Sequence, residues 1–249
     1  MRIDCISIFP QIIADALAHS IPGRAQAGEQ LSLHHHDLRA FTTDKHQKVD
    51  DIPYGGGVGM VFKPEPATAA IRAVKAMSAT ENRLVIHPSP AAPPLTQKAV
   101  NALAQYDQLI FIASRYEGLD QRVIDQHVDR EYSIGDFVIS GGELACAVMI
   151  DAVSRQIPGV VAKKESVEQD SYYDGLLDYP HYTRPAVFEE QAIPDELRSG
   201  HHEQIRIWRK KQALQRTLDL RPDLLETAAL DKEAVKLLRS MGYRAKERS

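Results

Sequence analysis

The chain lacks what marks several large classes of protein. Only 2 of its 249 residues are cysteines, so a disulfide-rich secreted scaffold is excluded and a reducing cytoplasm is the simpler location. No apolar run approaches the roughly eighteen residues of a membrane-spanning helix, and Arg2 and Asp4 interrupt the N-terminal segment; we expect neither a transmembrane helix nor a signal peptide. The formal net charge is -4, so any nucleic-acid site must be a local basic patch.

Several catalytic and metal-binding motifs are missing too. The run GGGVG at residues 55–59 is no dinucleotide fingerprint, because no strand precedes it and Phe62 stands where the third glycine belongs. There is neither a P-loop pattern nor a Gly-x-Ser-x-Gly elbow. The histidines at 34–36 and 201–202 have no partners at metal-ligand spacing. We predict no metal site and expect both histidine clusters to face solvent or RNA.

Three short apolar runs each end abruptly in a polar or glycine-containing loop. Residues 84–86 run into a proline-rich turn, residues 109–113 into SRYEG, and residues 137–139 into SGGE. Such runs predict buried strands of an α/β sheet, in which ligands bind beyond the carboxyl ends of the strands. One tight loop needs glycine or proline for its own turn. Three together predict a small-molecule pocket built largely from main chain.

Apolar periodicity and capping residues predict the remaining elements. They are a strand at 3–9, a loop at 34–59, and helices at 10–17, 63–77, near 95–105 and 119–127, at 143–156, 202–218, from Pro222, and from Asp231 to Gly242. In the 143–156 helix the predicted buried stripe is Leu144, Val148, Ala152 and Val153. The charged stretch at 162–177 predicts a mobile linker or lid between an α/β domain at 1–161 and a helical domain at 178–249.

Six segments resemble the bacterial tRNA (guanine-N1)-methyltransferase family. In collinear order they are MRIDCISIFP, PYGGGVGM, RYEGLDQR, SIGDFVISGGEL, EQDSYYDGLLDYPHYTRP and HHEQIRIWRKKQALQRT. The resemblance implies a SPOUT-type α/β domain with a deep trefoil knot, a small C-terminal α-helical domain, and a homodimer. Pattern alone would predict an ordinary open α/β sheet, because knots are so rare.

The resemblance also implies an activity. The family transfers a methyl group from S-adenosylmethionine to N1 of the guanosine immediately 3′ of the tRNA anticodon, position 37. The implied partners are the tRNA anticodon stem-loop and a second copy of the chain, with active sites shared between the two; no membrane partner is expected. Magnesium is a family expectation with no evident ligand set here. Two alternatives stay open: a related knotted methyltransferase of another RNA, and a non-catalytic RNA-binding module.

Asp170 and Arg155 match the catalytic pair of that family. Asp170 would be the general base that removes the proton from guanine N1, and Arg155 would stabilise negative charge that develops on O6. Without the resemblance, Asp170 would be taken as an ordinary solvated acid. Arg155 would be taken as half of a surface ion pair with Asp151, four residues earlier on the same helix.

The resemblance assigns the cofactor to the three strand-end loops. The assigned residues are His87, Pro88, Ser89 and Pro90; Ser114, Tyr116, Glu117 and Gly118; and Ile134, Gly135, Ile139, Gly141, Gly142 and Leu144. Ser114 stands where the family usually has glycine, and His87-Pro88 where it usually has an aromatic–aliphatic pair. We therefore expect cofactor affinity and loop shape to be the properties in which this chain differs.

The segment at 198–216 has a basic bias. Its six lysines and arginines stand against a single acid, Glu203, which favours phosphate contact as much as it favours a solvated helix face. Trp208 is expected either to stack on a base or to pack in a core. The residues assigned to tRNA are Gly57, Gly59, Asp178, His181, Arg206, Trp208, Arg209 and Lys210. Among them, Asp178 and His181 are assigned by resemblance alone.

Overall fold

The computed structural model of the protein describes residues 1–161 and 170–243. The chain divides into two compact units, Met1–Ala162 and Lys163–Ser249, and each is described by itself. In the described ranges, no helix has the length and apolar content needed to cross a membrane.

A five-stranded sheet in which all pairings are parallel forms the centre of the first unit, in the order β2-β1-β6-β5-β7. Its strands are β1 (Arg2–Ser7), β2 (Ser32–Asp37), β5 (Arg83–Pro88), β6 (Gln108–Ile112) and β7 (Arg130–Tyr132), while β3 (Asp50–Asp51) and β4 (Val61–Phe62) form an antiparallel pair of their own. The helices are α1 (Pro10–Ala16), α2 (Ser20–Ala27), α3 (Pro64–Ala76), α4 (Gln97–Leu103), α5 (Gln121–His127) and α6 (Gly142–Ser154).

Helices cover both faces of this sheet, which is why β6 is an unbroken buried run. Leu109 and Phe111 pack with α1, α2, α4 and α6, whereas Ile110 and Ile112 pack with α3 and α5. Burial of each such side chain stabilises the fold by roughly 1.5–3 kcal/mol. The two cores hold the sheet rigid, so the loops at its carboxyl edge have a fixed base.

The predicted loop at 34–59 is wrong in its first part. Residues 32–37 form β2, whose main chain pairs with β1, and residues 38–41 form a short 3-10 helix. The sequence of β2 is SLHHHD, so no alternation of apolar and polar residues marks it. An edge strand needs only one hydrogen-bonded neighbour and tolerates polar side chains.

The predicted strand at 137–139 is wrong as well. Phe137 and Val138 lie in an irregular segment and are exposed, and the edge strand that pairs with β5 on the side away from β6 is β7. With the sequence REY, β7 is too short and too polar to stand out. An apolar run thus predicted burial where the chain instead presents apolar side chains on its surface.

The predicted buried stripe of α6 is right for Val153, which is fully buried, and wrong for Leu144 and Val148. Leu144 and Val148 are 52% and 53% exposed, while Cys146, Met149 and Ile150 are fully buried. Nearly every residue of this helix is apolar or small, so periodicity alone could not select the face that packs on the sheet.

The second unit consists of helices and a short hairpin in its described part. Its elements are β8 (Val187–Phe188), β9 (Gln191–Ala192), α7 (Asp195–Arg198), α8 (His202–Leu220), α9 (Pro222–Leu225) and α10 (Lys232–Ser240). Leu214, Leu225 and Leu238 form its small core. The Asp231 side chain accepts from the Ala234 amide at 2.8 Å, so the predicted N-cap of α10 is confirmed.

Residues 162–169 of the predicted linker lie outside the described residues, and their mobility stays a prediction. The following stretch is held by hydrogen bonds within the second unit. The Leu177 amide donates to Thr217 Oγ1 of α8 at 2.9 Å, and the Asp178 amide donates to Ser171 Oγ at 2.9 Å. Leu177 is itself buried, so this part of the segment packs on α8.

Candidate functional site

A cavity of about 480 Å³ lies at the carboxyl edge of the sheet. Its walls are the loops that follow β5 and β6 and the segment between β7 and α6. Drug-sized and cofactor-sized ligands occupy pockets of roughly 300–1,000 Å³. The three strand ends singled out in the sequence therefore contribute to one pocket, although the third wall is an irregular segment rather than a strand end.

All but two of the predicted cofactor residues line this cavity. Those that do are His87, Pro88, Ser89, Pro90, Ser114, Tyr116, Glu117, Gly118, Ile134, Ile139, Gly141 and Gly142. Gly135 and Leu144 are not among the lining residues. Sequence reasoning did not assign Arg115, Glu131 or Ser133, which also line it. Glu131 lies on β7, the strand that the sequence did not reveal.

Gly142 shows why the third loop needs glycine. A Cβ at this position would lie 3.2 Å from the Ala113 Cα and from the main-chain N and O of Ser114. The Gly142 amide donates to the Ser114 carbonyl oxygen at 2.8 Å. The glycine therefore lets the start of α6 lie directly against the end of β6 and closes the floor of the pocket.

A buried ion pair fixes the second loop to the third. The Glu143 carboxylate is 1% exposed and accepts from Ser7 Oγ at 2.7 Å and from Arg115 Nε at 3.1 Å. The Arg115 guanidinium also lies over the Phe9 ring, 4.6 Å from its centroid. The charge of Arg115 is thus taken up by the protein itself, which leaves Glu117 and Glu131 as the other charged groups of the lining.

The two departures from the family pattern touch each other. His87 Nε2 lies 2.8 Å from Ser114 Oγ, and His87 Nδ1 lies 2.9 Å from Glu131 Oε1. His87 is 3% exposed and Ser114 is 8% exposed. Glu131 on β7, His87 on β5 and Ser114 in the loop after β6 thus form one hydrogen-bonded chain in the wall of the pocket.

The glycine loop at 55–59 adjoins the second wall of the same pocket. The Glu117 amide donates to the Met60 carbonyl at 3.0 Å, and a Cβ on Gly59 would lie 2.3 Å from Glu117 Oε1. Tyr54 and Val58 are exposed large side chains of this loop. The loop therefore presents apolar surface beside the cavity. A second substrate that binds next to the ligand in the cavity can contact this surface.

The two predicted catalytic residues lie in different units. Arg155 is the half-buried C-cap residue of α6 in the first unit. Asp170 is exposed and lines a cavity of about 340 Å³ in the second unit, together with Asp174 and Asp178. Arg206, Arg209 and Lys210 also line that cavity.

The predicted cationic face of α8 is partly neutralised by acidic side chains from another helix. Arg206 pairs with Glu203 and with Glu233 at 2.8 Å, and Lys210 pairs with Asp231 at 2.6 Å and with Glu233 at 2.8 Å. Hydrogen bonds from Arg206 and then Lys210 lower the pKa of Glu233 from 4.5 to about 2. Asp231 and Glu233 lie at the start of α10, distant from α8 in the sequence, so a charge count along α8 could not include them.

Trp208 packs inside the second unit. It is buried, with ring centroids of Tyr179 and Tyr182 at 6.5 Å and 6.2 Å. Of the two expectations for this residue, the packed tryptophan is the one that the structure shows. The exposed groups beside it are Tyr182, His181 and Arg209, whose guanidinium lies 5.1 Å from the centroid of Tyr179.

Among the histidines of β2, His36 contacts a buried side chain of the sheet instead of standing free in solvent. His36 Nε2 lies 2.9 Å from Asp4 Oδ1, and Arg2 and Gln108 also donate to this fully buried carboxylate. Burial by itself would raise the pKa of Asp4, but the hydrogen bonds from His36, Arg2 and Gln108 outweigh it and hold the pKa well below its ordinary value. In the described ranges, no three His, Cys, Asp or Glu side chains are grouped so as to hold a metal ion.

Comparison with known proteins gives one family. The model of the family described as tRNA (Guanine-1)-methyltransferase TrmD matches residues 1–227. The chain is 48% identical over 248 residues to a tRNA (guanine-N(1)-)-methyltransferase of Chloroflexus aurantiacus, covering 98% of this chain and 97% of that protein. It is 49% identical over 239 residues to the one of Pseudomonas putida, covering 96% and 95%, and 46% identical over 240 residues to the one of Clostridium perfringens, covering 96% and 100%. With a family match over nearly its whole length and relatives this similar from end to end, the chain belongs to the tRNA (guanine-1)-methyltransferase family.

Proposed function

We propose that this protein transfers a methyl group from S-adenosylmethionine to N1 of guanosine 37 in tRNA, immediately 3′ of the anticodon. The observation that carries the proposal is the cavity at the carboxyl edge of the sheet, because two of its three walls are built by the segments RYEGLDQR and SIGDFVISGGEL, which resemble the family. In parallel α/β sheets this edge is where ligands bind.

The lining of the cavity suits the methyl donor. Apart from Arg115, whose charge is taken up by Glu143, the charged groups of the lining are the acids Glu117 and Glu131. S-adenosylmethionine carries a sulfonium and an ammonium, so an acidic lining favours it. Gly142 lets the start of α6 lie directly against the end of β6, which closes the pocket on that side. When bound, the cofactor supplies an electrophilic methyl group that needs little beyond in-line placement.

The acceptor needs more help, because guanine N1 carries a proton at neutral pH. Asp170 is the proposed base that removes it, and Arg155 the proposed clamp for negative charge on O6. Enclosure by the target nucleotide would remove the exposed Asp170 carboxylate from water, which increases the proton affinity of a carboxylate. Both roles rest on the match of these two residues to the family motif.

The tRNA contacts are proposed from exposed surface in each unit. The loop around Gly57 and Gly59 in the first unit presents Tyr54 beside the pocket. In the second unit Arg209 and His181 are exposed and lie close to Tyr179, so they can meet phosphates and bases. Arg206 and Lys210 can join them only by exchanging their carboxylate partners for phosphates.

We propose a homodimer on a separate observation, and shared active sites on the resemblance to the family. Val138 precedes α6, Leu144 and Val148 lie on it, and all three are large, exposed apolar side chains. Exposed apolar surface of this kind marks association sites.

The deep trefoil knot belongs to the proposal as a feature of the family. In its support, the segment 133–142 is bonded on one side to the loop after β5 and on the other to the loop after β6. The Ser133 amide donates to the Pro93 carbonyl at 2.9 Å, and the Gly142 amide donates to Ser114.

Methylation of defined tRNA transcripts tests the proposed function. Radiolabelled S-adenosylmethionine should label a transcript with G37, and nucleoside mapping should find N1-methylguanosine at that position. The matched control is the same transcript with adenosine at position 37, which should remain unlabelled. Methylation of another RNA or another position would favour a related knotted methyltransferase. Failure to bind S-adenosylmethionine in a calorimetric titration would favour a non-catalytic RNA-binding module.

A further inference from the structure

Glu131, His87 and Ser114 stand side by side on three neighbouring elements of the sheet. His87 on β5 is the register partner of Glu131 on β7, and Ser114 follows the end of β6. The contacts run from Glu131 Oε1 to His87 Nδ1 at 2.9 Å and from His87 Nε2 to Ser114 Oγ at 2.8 Å. Both Ser114 and Glu131 line the proposed cofactor cavity, while the imidazole between them is nearly inaccessible.

The proton positions on His87 decide the direction of these hydrogen bonds. An ionised carboxylate can only accept, so with Glu131 ionised His87 Nδ1 donates to it. With the imidazole neutral, Nε2 is then an acceptor and the Ser114 hydroxyl donates its proton to it; an imidazolium would donate at Nε2 instead. In the neutral arrangement the Ser114 oxygen keeps two lone pairs and has no proton left to offer the cavity.

We infer that this chain of hydrogen bonds, the Glu131–His87–Ser114 relay, makes the Ser114 oxygen a dedicated acceptor for an N–H group of the bound cofactor. Glu131 and His87 are then positioning residues. The inference rests on the proposed function. The cofactor offers two nitrogen donors, the exocyclic amine of adenine and the α-ammonium group. A serine with a free hydroxyl can act as donor or acceptor and discriminates poorly between ligands. A hydroxyl held as in the relay accepts only, so it selects for these nitrogen groups.

Calorimetric titration with S-adenosylhomocysteine, the demethylated cofactor, measures the effect without turnover. Ser114→Ala should lower the affinity about tenfold, the scale of one hydrogen bond to a polar or charged group. Glu131→Ala should lower it as well, and Glu131→Gln should restore part of the loss because its amide oxygen still accepts from Nδ1. In the Ser114→Ala background, Glu131→Ala should have little further effect, because Glu131 acts through the serine. Additive losses would mean that Glu131 contacts the ligand by itself and would overturn the relay.

Two ligand analogues identify the donor. One replaces the adenine amine by a carbonyl oxygen, as in inosine, and the other lacks the α-amino group. The loss caused by Ser114→Ala should vanish for the analogue that lacks the nitrogen bound by Ser114. A full loss with both analogues would show that Ser114 only shapes the pocket, and would overturn the inference. If the wild type fails to bind S-adenosylhomocysteine at all, the proposed function fails; if it binds and Ser114→Ala binds equally well, only the inference fails.

Two further measurements separate the relay from a structural or nucleophilic role. Nitrogen-15 spectra of the ligand-free protein should show the proton of His87 on Nδ1 in the wild type and a mixture of tautomers in Glu131→Ala. A proton on Nε2 in the wild type, either alone or together with one on Nδ1, would overturn the assigned direction. The same order of groups activates a nucleophilic serine in hydrolases. Covalent labelling of Ser114 by a fluorophosphonate would therefore show a nucleophile and overturn the acceptor role.

Discussion

The two units of this chain use charged side chains in opposite ways. In the first unit, Asp4 and Glu143 are withdrawn from water and hydrogen bonded to groups on other strands and loops. In the second unit, Arg206, Lys210 and Glu233 form exposed ion pairs between α8 and α10. Loss of one partner of a buried pair leaves an uncompensated charge, whereas an exposed pair is solvated and screened. The first set therefore holds the fold and the pocket, and the second set remains available for exchange with a charged ligand.

The largest expected effect is on the rate of methylation, and it comes from an exposed acid. It would show that burial alone does not decide which charged side chains matter. Asp170→Asn should lower the rate of tRNA methylation by about two to four orders of magnitude, the scale of a removed general base. Cofactor affinity and melting temperature should change little, because the side chain is exposed. The matched control is Asp174→Asn, an exposed acid that lines the same cavity. Single-turnover rates for both variants check this; equal rates would remove Asp170 from the chemistry.

Next in size is the loss of the buried carboxylate of the first unit. Asp4→Ala should destabilise the protein by about 3 kcal/mol, because Arg2 and Gln108 lose their acceptor. Glu81→Ala, whose exposed carboxylate pairs with Arg83 at 3.5 Å, should change stability far less. Urea denaturation of both variants measures the difference. Similar midpoints for the two variants would contradict the comparison between buried and exposed charges.

The same carboxylate predicts a dependence on pH. The pKa of Asp4 is lowered in the folded state, so its contribution is present above the unfolded pKa of about 3.9 and is lost as pH falls below it. The difference in stability between wild type and Asp4→Asn should be constant near neutral pH and shrink under acid conditions. A stability difference that grows on acidification would show that folding does not lower the pKa of Asp4.

A smaller effect is expected from a single methyl group at the floor of the pocket. Gly142→Ala should cost about 1–3 kcal/mol of stability, the range for overpacking, because its Cβ meets main chain that cannot swing aside. Cofactor affinity should fall with it. In the control, Gly28→Ala, the new Cβ meets only the end of the flexible Gln30 side chain. Melting curves measure the stability of the two variants, and calorimetry measures their cofactor affinity. Normal stability and normal cofactor binding by Gly142→Ala would contradict the tight packing of Gly142 against the end of β6.

The exposed apolar side chains of α6 predict an effect on assembly rather than on folding. Val148→Asp should convert a dimer to monomers while the melting of each chain changes little, because Val148 is already half exposed. Leu220→Asp places the same charge on an exposed leucine of the second unit and should leave the dimer intact. Sedimentation equilibrium measures both. A monomeric wild type would refute the dimer itself.

The smallest effect is expected from the exposed ion pairs. Glu233→Gln should hardly change stability at neutral pH, since its ion pairs with Arg206 and Lys210 are solvent-accessible and screened. The small contribution of these pairs is present above about pH 4.5 and is lost as pH falls towards 2, because the pKa of Glu233 is lowered in the folded state. The substitution should nevertheless strengthen tRNA binding, because Arg206 and Lys210 lose a competing carboxylate. The slope of log affinity against log salt concentration should steepen by about 0.7–0.9 for each additional phosphate that these two cations neutralise. An unchanged slope would exclude phosphate binding by Arg206 and Lys210.

Sequence patterns predicted the elements whose signals are local. The helix at 202–220 begins and ends within two residues of its predicted bounds, and Asp231 caps α10 as predicted. The glycine- and proline-rich loops after β5 and β6, with Gly141 and Gly142, gather at one cavity as expected. Turn chemistry and capping depend on residues that are neighbours in the chain, and for this reason one sequence suffices to find them.

Other predictions failed where the signal was not local. Residues 137–139 looked like a strand and β7 did not, because edge pairing satisfies the main chain of REY regardless of its side chains. The buried face of α6 was settled by what lies opposite it in the fold. For Trp208 the sequence left two roles open, and the packing against Tyr179 and Tyr182 is likewise set by the fold. In α6 the pattern was uniform, so many helix rotations were compatible with it.

The sequence by itself determined the family, the order of most elements and the loops that form the pocket, because these follow from local propensities and from motifs that are continuous in the chain. Only the tertiary structure decided which polar groups are partners. His87 reaches Glu131 and Ser114, and Glu233 reaches Arg206, across separations of 27 to 44 residues that carry no periodic signal. The physical reason is that hydrogen bonds and ion pairs depend on distances of about 3 Å, and the packing of strands and helices alone sets those distances.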